Sequence, residues 1–186
     1  MKFFNILHCS VVLLSDGQSE GSILSSIYTD EKIAQIYDQY VNMVYKICLM
    51  MLKNPGDAED VTQNVFVKLI RSGKQYESDR HLKASLIVIA QNECKNQLKH
   101  WWHSKRDSFD DIAEPSYHQQ TADTDVINAV NSLPDKYKIP VYLFYYEGYT
   151  SEEISKMLGI NHSTVRSHLA EARKRLKLIL KEDNNE

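Results

Sequence analysis

Residues 150–169 read TSEEISKMLGINHSTVRSHL, and the order of residue types in this stretch decides the local fold. Thr150 followed three positions later by Glu153 is a capping-box pair. The hydroxyl accepts from an unpaired amide of the helix's first turn, and the carboxylate reaches back to the capping residue's own amide. A helix therefore begins at Ser151 and runs to Leu158, with Ile154 and Leu158 as its buried positions. Gly159-Ile160-Asn161 supplies a turn, the glycine free to take positive φ and the asparagine suited to cap the next helix. That second helix carries Val165, Leu169, Ala172, Leu176 and Ile179 on one face, while His162, Ser163, Thr164, Arg166, Ser167 and His168 crowd its exposed beginning. A short helix, a glycine turn and a second helix with a polar start make a helix-turn-helix, whose second helix enters the DNA major groove. Arg166 suits bidentate contact with guanine, and Ser163, Thr164 and Ser167 can reach bases or phosphate. Arg173, Lys174 and Lys177 lie farther along and suit the phosphate backbone. The bland alternative for such a charge run is a solvated helix face. A capped helix pair with this turn beside it weighs against that alternative.

Net charge does not announce a nucleic-acid binder, since the whole chain stands at -3. The charges are segregated, however. Asp107, Asp110, Asp111, Glu114, Asp123 and Asp125 fall in a stretch with no Lys or Arg, whereas Lys156, Arg166, Arg173, Lys174, Arg175, Lys177 and Lys181 face Glu171 alone. Patches rather than totals steer a protein onto phosphate. Cys9, Cys48 and Cys94 are widely spaced with no C-x-x-C pair, so neither a zinc site nor a disulfide framework is indicated. Reduced core thiols at Cys48 and Cys94 point to the cytoplasm. Phe3 to Leu14 is apolar but interrupted by Asn5, His8 and Ser10, and falls short of the ~18 apolar residues of a membrane span. Residues 1–26 are expected to be a disordered or mis-started leader, because no small-x-small cleavage site comes after the apolar stretch.

Glycine and proline are scarce, at 6 and 4, and helical periodicity recurs along most of the chain, which argues for an all-α fold. Glu31 to Lys53 reads as one helix with Ile33, Ile36, Tyr37, Tyr40, Val44, Ile47, Cys48 and Met51 on a broad apolar face. Asn54-Pro55-Gly56-Asp57 breaks it. The next helix places Asp57, Glu59 and Asp60 in its first turn, at the positive end of its dipole, and aligns Ala58, Val61, Val65 and Leu69 with Phe66 and Ile70 beside them. Ser72-Gly73 ends it, and residues 74–83 read as a polar loop. A third helix, Ala84 to Trp102, has an apolar side of Leu86, Ile89, Ala90, Cys94 and Leu98 and a polar side of Asn92, Lys95, Asn96, Lys99 and His103, with Glu93 off that stripe. Trp101 and Trp102 are divided evenly between partial core packing and exposure. The acidic run 107–125 is a linker, Val126 to Leu133 opens a second unit, and Pro134 restarts the chain into one helix from Asp135 to Tyr146. The expected organisation is a leader (1–26), a helical domain (27–106), a flexible acidic linker (107–125), a helix-turn-helix domain (126–182) and a tail (183–186).

From Tyr28 to Leu180 this order resembles the extracytoplasmic-function (ECF) subfamily of the sigma-70 family, bacterial RNA polymerase sigma factors. Three stretches carry the resemblance: Ile36 to Tyr40 through Asp57-Ala58-Glu59-Asp60-Val61-Thr62-Gln63-Asn64-Val65-Phe66, then Ala84 to Leu98, then Leu133-Pro134 to Leu176. The helix-turn-helix alone is weakly specific; the acidic helix in the correct order ahead of it is much more so. The resemblance implies that Asp57, Asp60, Gln63, Asn64 and Phe66 dock on core polymerase and that Asn92, Lys95, Asn96 and Lys99 engage the minus-10 promoter element. It implies that the loop from Tyr76 to Lys83 helps hold a base flipped from the non-template strand. Ser163, Thr164, Arg166, Ser167, His168, Arg173 and Lys174 would read the minus-35 element. Two positions depart from the pattern: Ser85 stands where relatives usually have Trp, and Asn64 where they usually have Glu.

Melting DNA requires capture of unpaired bases, for which aromatic and amide groups near cations are suited. Nucleophile–base pairs, metal clusters and phosphate-binding glycine loops are not apparent in the sequence, so no catalytic activity, cofactor or metal is expected. The implied partners are core RNA polymerase, promoter DNA and an anti-sigma factor, in this family often membrane-bound. A response-regulator-like transcription factor would need an α/β domain, and a purely protein-binding adaptor would not need the basic stretch from Arg166 to Lys181.

Overall fold

A computed structural model describes residues 29–105, 129–130 and 132–182, with side chains placed to Trp102 in the first stretch and to Ile179 in the last. The leader, the acidic stretch 107–125 and the tail lie outside the described residues, as do Arg106 and the side chains of His103, Lys105 and Lys181. Among the described residues there are helices and turns and no strand.

Helix α1 (Asp30–Leu52) starts at Thr29, whose hydroxyl accepts from the Lys32 amide at 3.3 Å. It ends at Lys53, held in the left-handed region at φ 58 with its N–H on the Leu49 carbonyl. Helix α2 (Pro55–Arg71) follows almost at once. Asn54 Oδ1 accepts from the Asp57 amide at 3.2 Å, and Pro55 occupies a first-turn position where its missing N–H costs nothing. The four-residue break read from the sequence is therefore shorter, because Pro55 and Gly56 already belong to the helix.

Helix α3 (Asp79–Lys105) begins five residues before the expected Ala84. Ser78 explains the extension: its hydroxyl accepts from the His81 amide at 3.2 Å and its carbonyl from the Leu82 amide at 3.0 Å. Leu82 is buried and adds a turn to the stripe of Leu86, Ala90 and Cys94. Val44, Ile47 and Cys48 of α1, Val65 of α2 and Leu86, Ile87, Ala90 and Cys94 of α3 are wholly inaccessible and form the first core. Thr62 is buried with them, its hydroxyl donated to the Ala58 carbonyl at 2.6 Å. Cys48 and Cys94 are free thiols; a hydrogen bond to Cys48 together with burial pushes the Cys94 thiol well above its ordinary value.

The second module contains α4 (Asp135–Val141), a π-helical turn (Tyr142–Tyr146), α5 (Ser151–Leu158) and α6 (His162–Glu182). The single helix expected from Asp135 to Tyr146 is thus divided. Pro140 has no N–H to continue the ladder, and the Glu147 amide reaches the Tyr142 carbonyl five residues back. Leu143, Ile154, Val165 and Ala172 form the fully buried centre of this module.

The two modules are not merely tethered. Their buried residues join into one apolar cluster running from Ile36 to Ala172, with α1 against α4 and α3 against α5. Lys53 also bridges to Asp135 at 3.1 Å, and Asp135 pairs with Lys138 at 3.2 Å. Partial burial works to raise the Asp135 carboxyl, but these two ammonium groups outweigh it and hold the pKa below the usual value.

Phe66 requires a correction. It was expected on the polymerase-docking surface, yet it is 2% exposed and its ring lies 4.9 Å from that of Tyr37, tilted by 59°. Its place beside the Val61, Val65, Leu69 stripe puts it inside the three-helix core. Phe66→Ala should accordingly cost roughly 3–5 kcal/mol of unfolding free energy in urea titration. Unchanged stability with lost polymerase binding would instead return Phe66 to the docking surface.

Candidate nucleic-acid interface

The helix-turn-helix is assembled by short-range contacts. Glu153 Oε2 accepts from the Thr150 amide and hydroxyl, both at 2.8 Å, while Thr150 Oγ1 accepts from the Glu153 amide at 3.3 Å. Backbone and hydroxyl donation from Thr150, with Arg80 adding to it, lowers the Glu153 carboxyl to about 2. Gly159 takes φ 65 and its N–H meets the Ser155 carbonyl, which ends α5 as the sequence required. Ser151 Oγ and His162 Nε2 lie 2.8 Å apart and tie the starts of the two helices together. His162, at the exposed start of α6, is thereby given a positioning contact.

With Val165, Leu169 and Ala172 turned inward, Ser163, Arg166 and Ser167 stand exposed on α6, Thr164 is half-buried, and Arg173 and Lys174 are exposed two turns on. Phe144, Ser163, Arg166, Ser167 and Arg173 border one open groove on this side. Arg173 Nε donates to the Leu169 carbonyl at 3.3 Å, which aligns its guanidinium along the helix. Arg175 is engaged elsewhere, paired with Glu171 at 2.8 Å and over the Tyr137 ring at 5.6 Å.

His168 departs from its expected place among the minus-35 readers. It is half-buried, packs edge-on against Tyr137 with ring centres 5.3 Å apart, and its Nδ1 is buried without a hydrogen-bond partner. Its position four residues after Thr164 turns it toward α4 rather than outward. Burial, assisted by Lys136, pushes its pKa below the ordinary value.

On the first module Asn92, Lys95, Asn96 and Lys99 are all exposed along one side of α3. Glu93 beside them is neutralised by Lys68 at 2.6 Å, and Asn96 Nδ2 lies 3.4 Å from the same oxygen. The acid therefore does not oppose phosphate; it orients an amide. Trp101 and Trp102 are 40% and 59% exposed and sit edge to face, so the tryptophans that the sequence left undecided form a surface pair rather than core. On α2, Asp60 and Asn64 are exposed while Asp57 and Gln63 are half-buried. Ser85 is half-buried on α3, where a larger side chain would widen the apolar face.

The supposed capture loop is shorter than expected. Tyr76 packs edge-on against His81, but residues 79–83 are helical, and Arg80 and Lys83 turn to the second module. Their partners Glu147, Tyr149 and Glu153 were not singled out as an interface by sequence reasoning. No local signal marks a pair 73 residues apart.

Two helical modules, the second a helix-turn-helix of the DNA-binding kind with an exposed polar start and the first with a polar stripe on its last helix, define the class of this protein. Similarity to known proteins narrows this to a family. The model for sigma-70 region 2 matches residues 36–103, and that for sigma-70 region 4 matches residues 124–176. The chain belongs to the sigma-70 family, whose members direct promoter-specific transcription initiation by RNA polymerase. It is 26% identical over 162 residues to the ECF RNA polymerase sigma factor SigE of Mycolicibacterium smegmatis, covering 82% of this chain and spanning 63% of the length of that protein. Over 156 residues it is 26% identical to SigM of Bacillus subtilis, covering 79% of this chain and 94% of that one. The fold matches the sigma factor RpoE of Bartonella quintana, solved with the anti-sigma factor NepR, at TM-score 0.64 and 22% identity over 80% of this chain and 96% of that one. CnrH, solved with the cytosolic domain of CnrY, matches at TM-score 0.57 and 17% identity over 87% and 94%. No helix among the described residues is long and apolar enough to cross a membrane.

The lowered His168 pKa gives a test with a definite sign. An imidazole whose folded pKa lies below its unfolded value, about 6.5, leaves stability intact above that value and removes it as pH falls through the folded pKa. Thermal unfolding between about pH 7.5 and about pH 5.5 should show a fall in Tm that His168→Gln reduces. An identical pH dependence in the variant would remove the buried-imidazole account.

Proposed function

We propose that this sigma factor divides promoter recognition between two faces and docks on core polymerase through a third. Asp57, Asp60, Gln63 and Asn64 on α2 meet the polymerase. With Phe66 in the core, this surface is polar and its charge comes from the two aspartates, Asn64 contributing an amide where relatives usually carry a carboxylate. Asn92, Lys95, Asn96 and Lys99 engage the minus-10 element, with Trp101 and Trp102 offering aromatic faces one turn beyond, where unpaired bases can stack.

Ser163, Thr164, Arg166 and Ser167 read the minus-35 element, and Arg173 and Lys174 take phosphate. His168 supports them by holding α6 on α4. The observation that carries this reading is the exposure of both polar helix faces on a core built by the opposite, apolar faces. The chain acts by binding rather than by chemistry of its own, and works in the cytoplasm with core polymerase and promoter DNA. An anti-sigma factor is a further partner. Support comes from the two structurally similar sigma factors, each solved with one.

Purified chain added to core polymerase should give promoter-dependent transcription, and failure to bind core, or binding without specific initiation, would sink the division of roles. Arg166→Ala should lower discrimination between a matched and a scrambled minus-35 element by about 1–3 kcal/mol, with core binding unchanged. Equal loss at both promoters would mean that Arg166 touches phosphate only.

A further inference from the structure

Three aromatic rings stand exposed in succession on the π-helical turn: Phe144, Tyr145 and Tyr146. Their surroundings differ. Tyr146 stacks on Tyr142, with Lys46 4.9 Å from its ring centre, and Tyr145 meets Phe144 edge-on with ring centres 5.0 Å apart. Of the three, Phe144 alone borders the groove beside α6. The wide turn sets this direction. Leu143 is held inward, its carbonyl accepting from the Tyr149 amide at 2.9 Å, and the next side chain along emerges at the groove.

The groove has a definite chemistry. The guanidiniums of Arg166 and Arg173 and three serine hydroxyls line it, with no carboxylate. Ala170, also on the lining, is too short to fill the space, so the ring of Phe144 supplies the apolar surface there. A fitting occupant is anionic and carries a small apolar group. Duplex DNA meets both demands with its phosphates and, in the major groove, the C5 methyl of thymine. Unlike Tyr142, Tyr145 and Tyr146 around it, Phe144 has no hydroxyl to donate to a phosphate, so its ring offers apolar contact only.

We propose that Phe144 is a specificity-determining residue of the minus-35 reader: its ring takes the C5 methyl of a thymine within two base pairs of the guanine that Arg166 contacts. Ala170 lies one helical turn, about 5.4 Å, beyond Arg166, which is between one and two base-pair steps of ~3.4 Å. This role deepens the minus-35 assignment of α6 and rests on it. It adds to the reader a side chain from outside the recognition helix.

The test uses holoenzyme assembled from the full chain and core polymerase. Duplexes randomised over the minus-35 window are selected for binding to wild type, Phe144→Ala and Arg166→Ala. Wild type should enrich a thymine within two base pairs of a guanine. Phe144→Ala should lose the thymine and keep the guanine, whereas Arg166→Ala should lose the guanine. A second measurement needs no variant to fold. Deoxyuridine in place of that thymine removes only the methyl, and should weaken wild-type binding about fourfold while leaving Phe144→Ala binding unchanged. Unchanged wild-type affinity for the deoxyuridine duplex overturns the role of Phe144, as does a Phe144→Ala holoenzyme that still enriches thymine. Equal loss in Phe144→Ala at every sequence, with deoxyuridine tolerated, would put the ring on sugar and phosphate and overturn it too. A guanine that depends on Arg166 without the thymine sinks Phe144 alone. If wild type enriches no base in the window, the minus-35 reading falls and Phe144 falls with it.

Discussion

One carboxylate serves two structural ends. Glu153 closes the capping box with one oxygen, on the Thr150 amide and hydroxyl, and receives Arg80 of the first module with the other. The start of α5, and through Gly159 the angle at which α6 leaves, is therefore set at the same residue that joins the modules. Donation from Thr150 and Arg80 keeps that carboxylate ionised far into acid, so both connections persist across ordinary pH. A helix-turn-helix built this way is stiff at its entry, and the residues facing outward on α6 inherit that stiffness.

The first module reaches the same end by apolar means. Three helices meet on side chains with no exposure at all, and the polar stripe of α3 stands opposite them. The stripe is regulated by neighbours as well as by its own residues: Lys68 from α2 cancels Glu93 and leaves Asn96 beside it. The second module also presents an aromatic run, Phe144 to Tyr146, that a solvated loop would not carry. Part of it borders the groove beside Arg166, and part meets Lys46.

Family membership explains why two such modules coexist in one short chain, and the structure adds how they pack on one another. Arg80 and Lys83 of the first module are engaged by Glu153 and Glu147 of the second.

By itself the sequence determined whatever depends on neighbours within a turn or two. The capping box at Thr150 and Glu153, the left-handed Gly159, the inward set of Val165, Leu169 and Ala172, and the helical period of α1 and α2 were legible because caps, φ preferences and periodicity act over a few residues. Where two signals of that range competed, the reading failed: Ser78 and Leu82 carried α3 back into what looked like a polar loop, and Pro140 divided an apparently continuous helix. Phe66 and His168 were misplaced because a residue at the edge of a stripe can face either way until another helix covers it; Tyr37 and Tyr137 did so. Only the tertiary structure decided that Arg80 would meet Glu153 and that Lys83 would meet Glu147. Charge pairs between distant segments leave no period, cap or turn in the chain, and their partners are chosen by how two apolar cores happen to align.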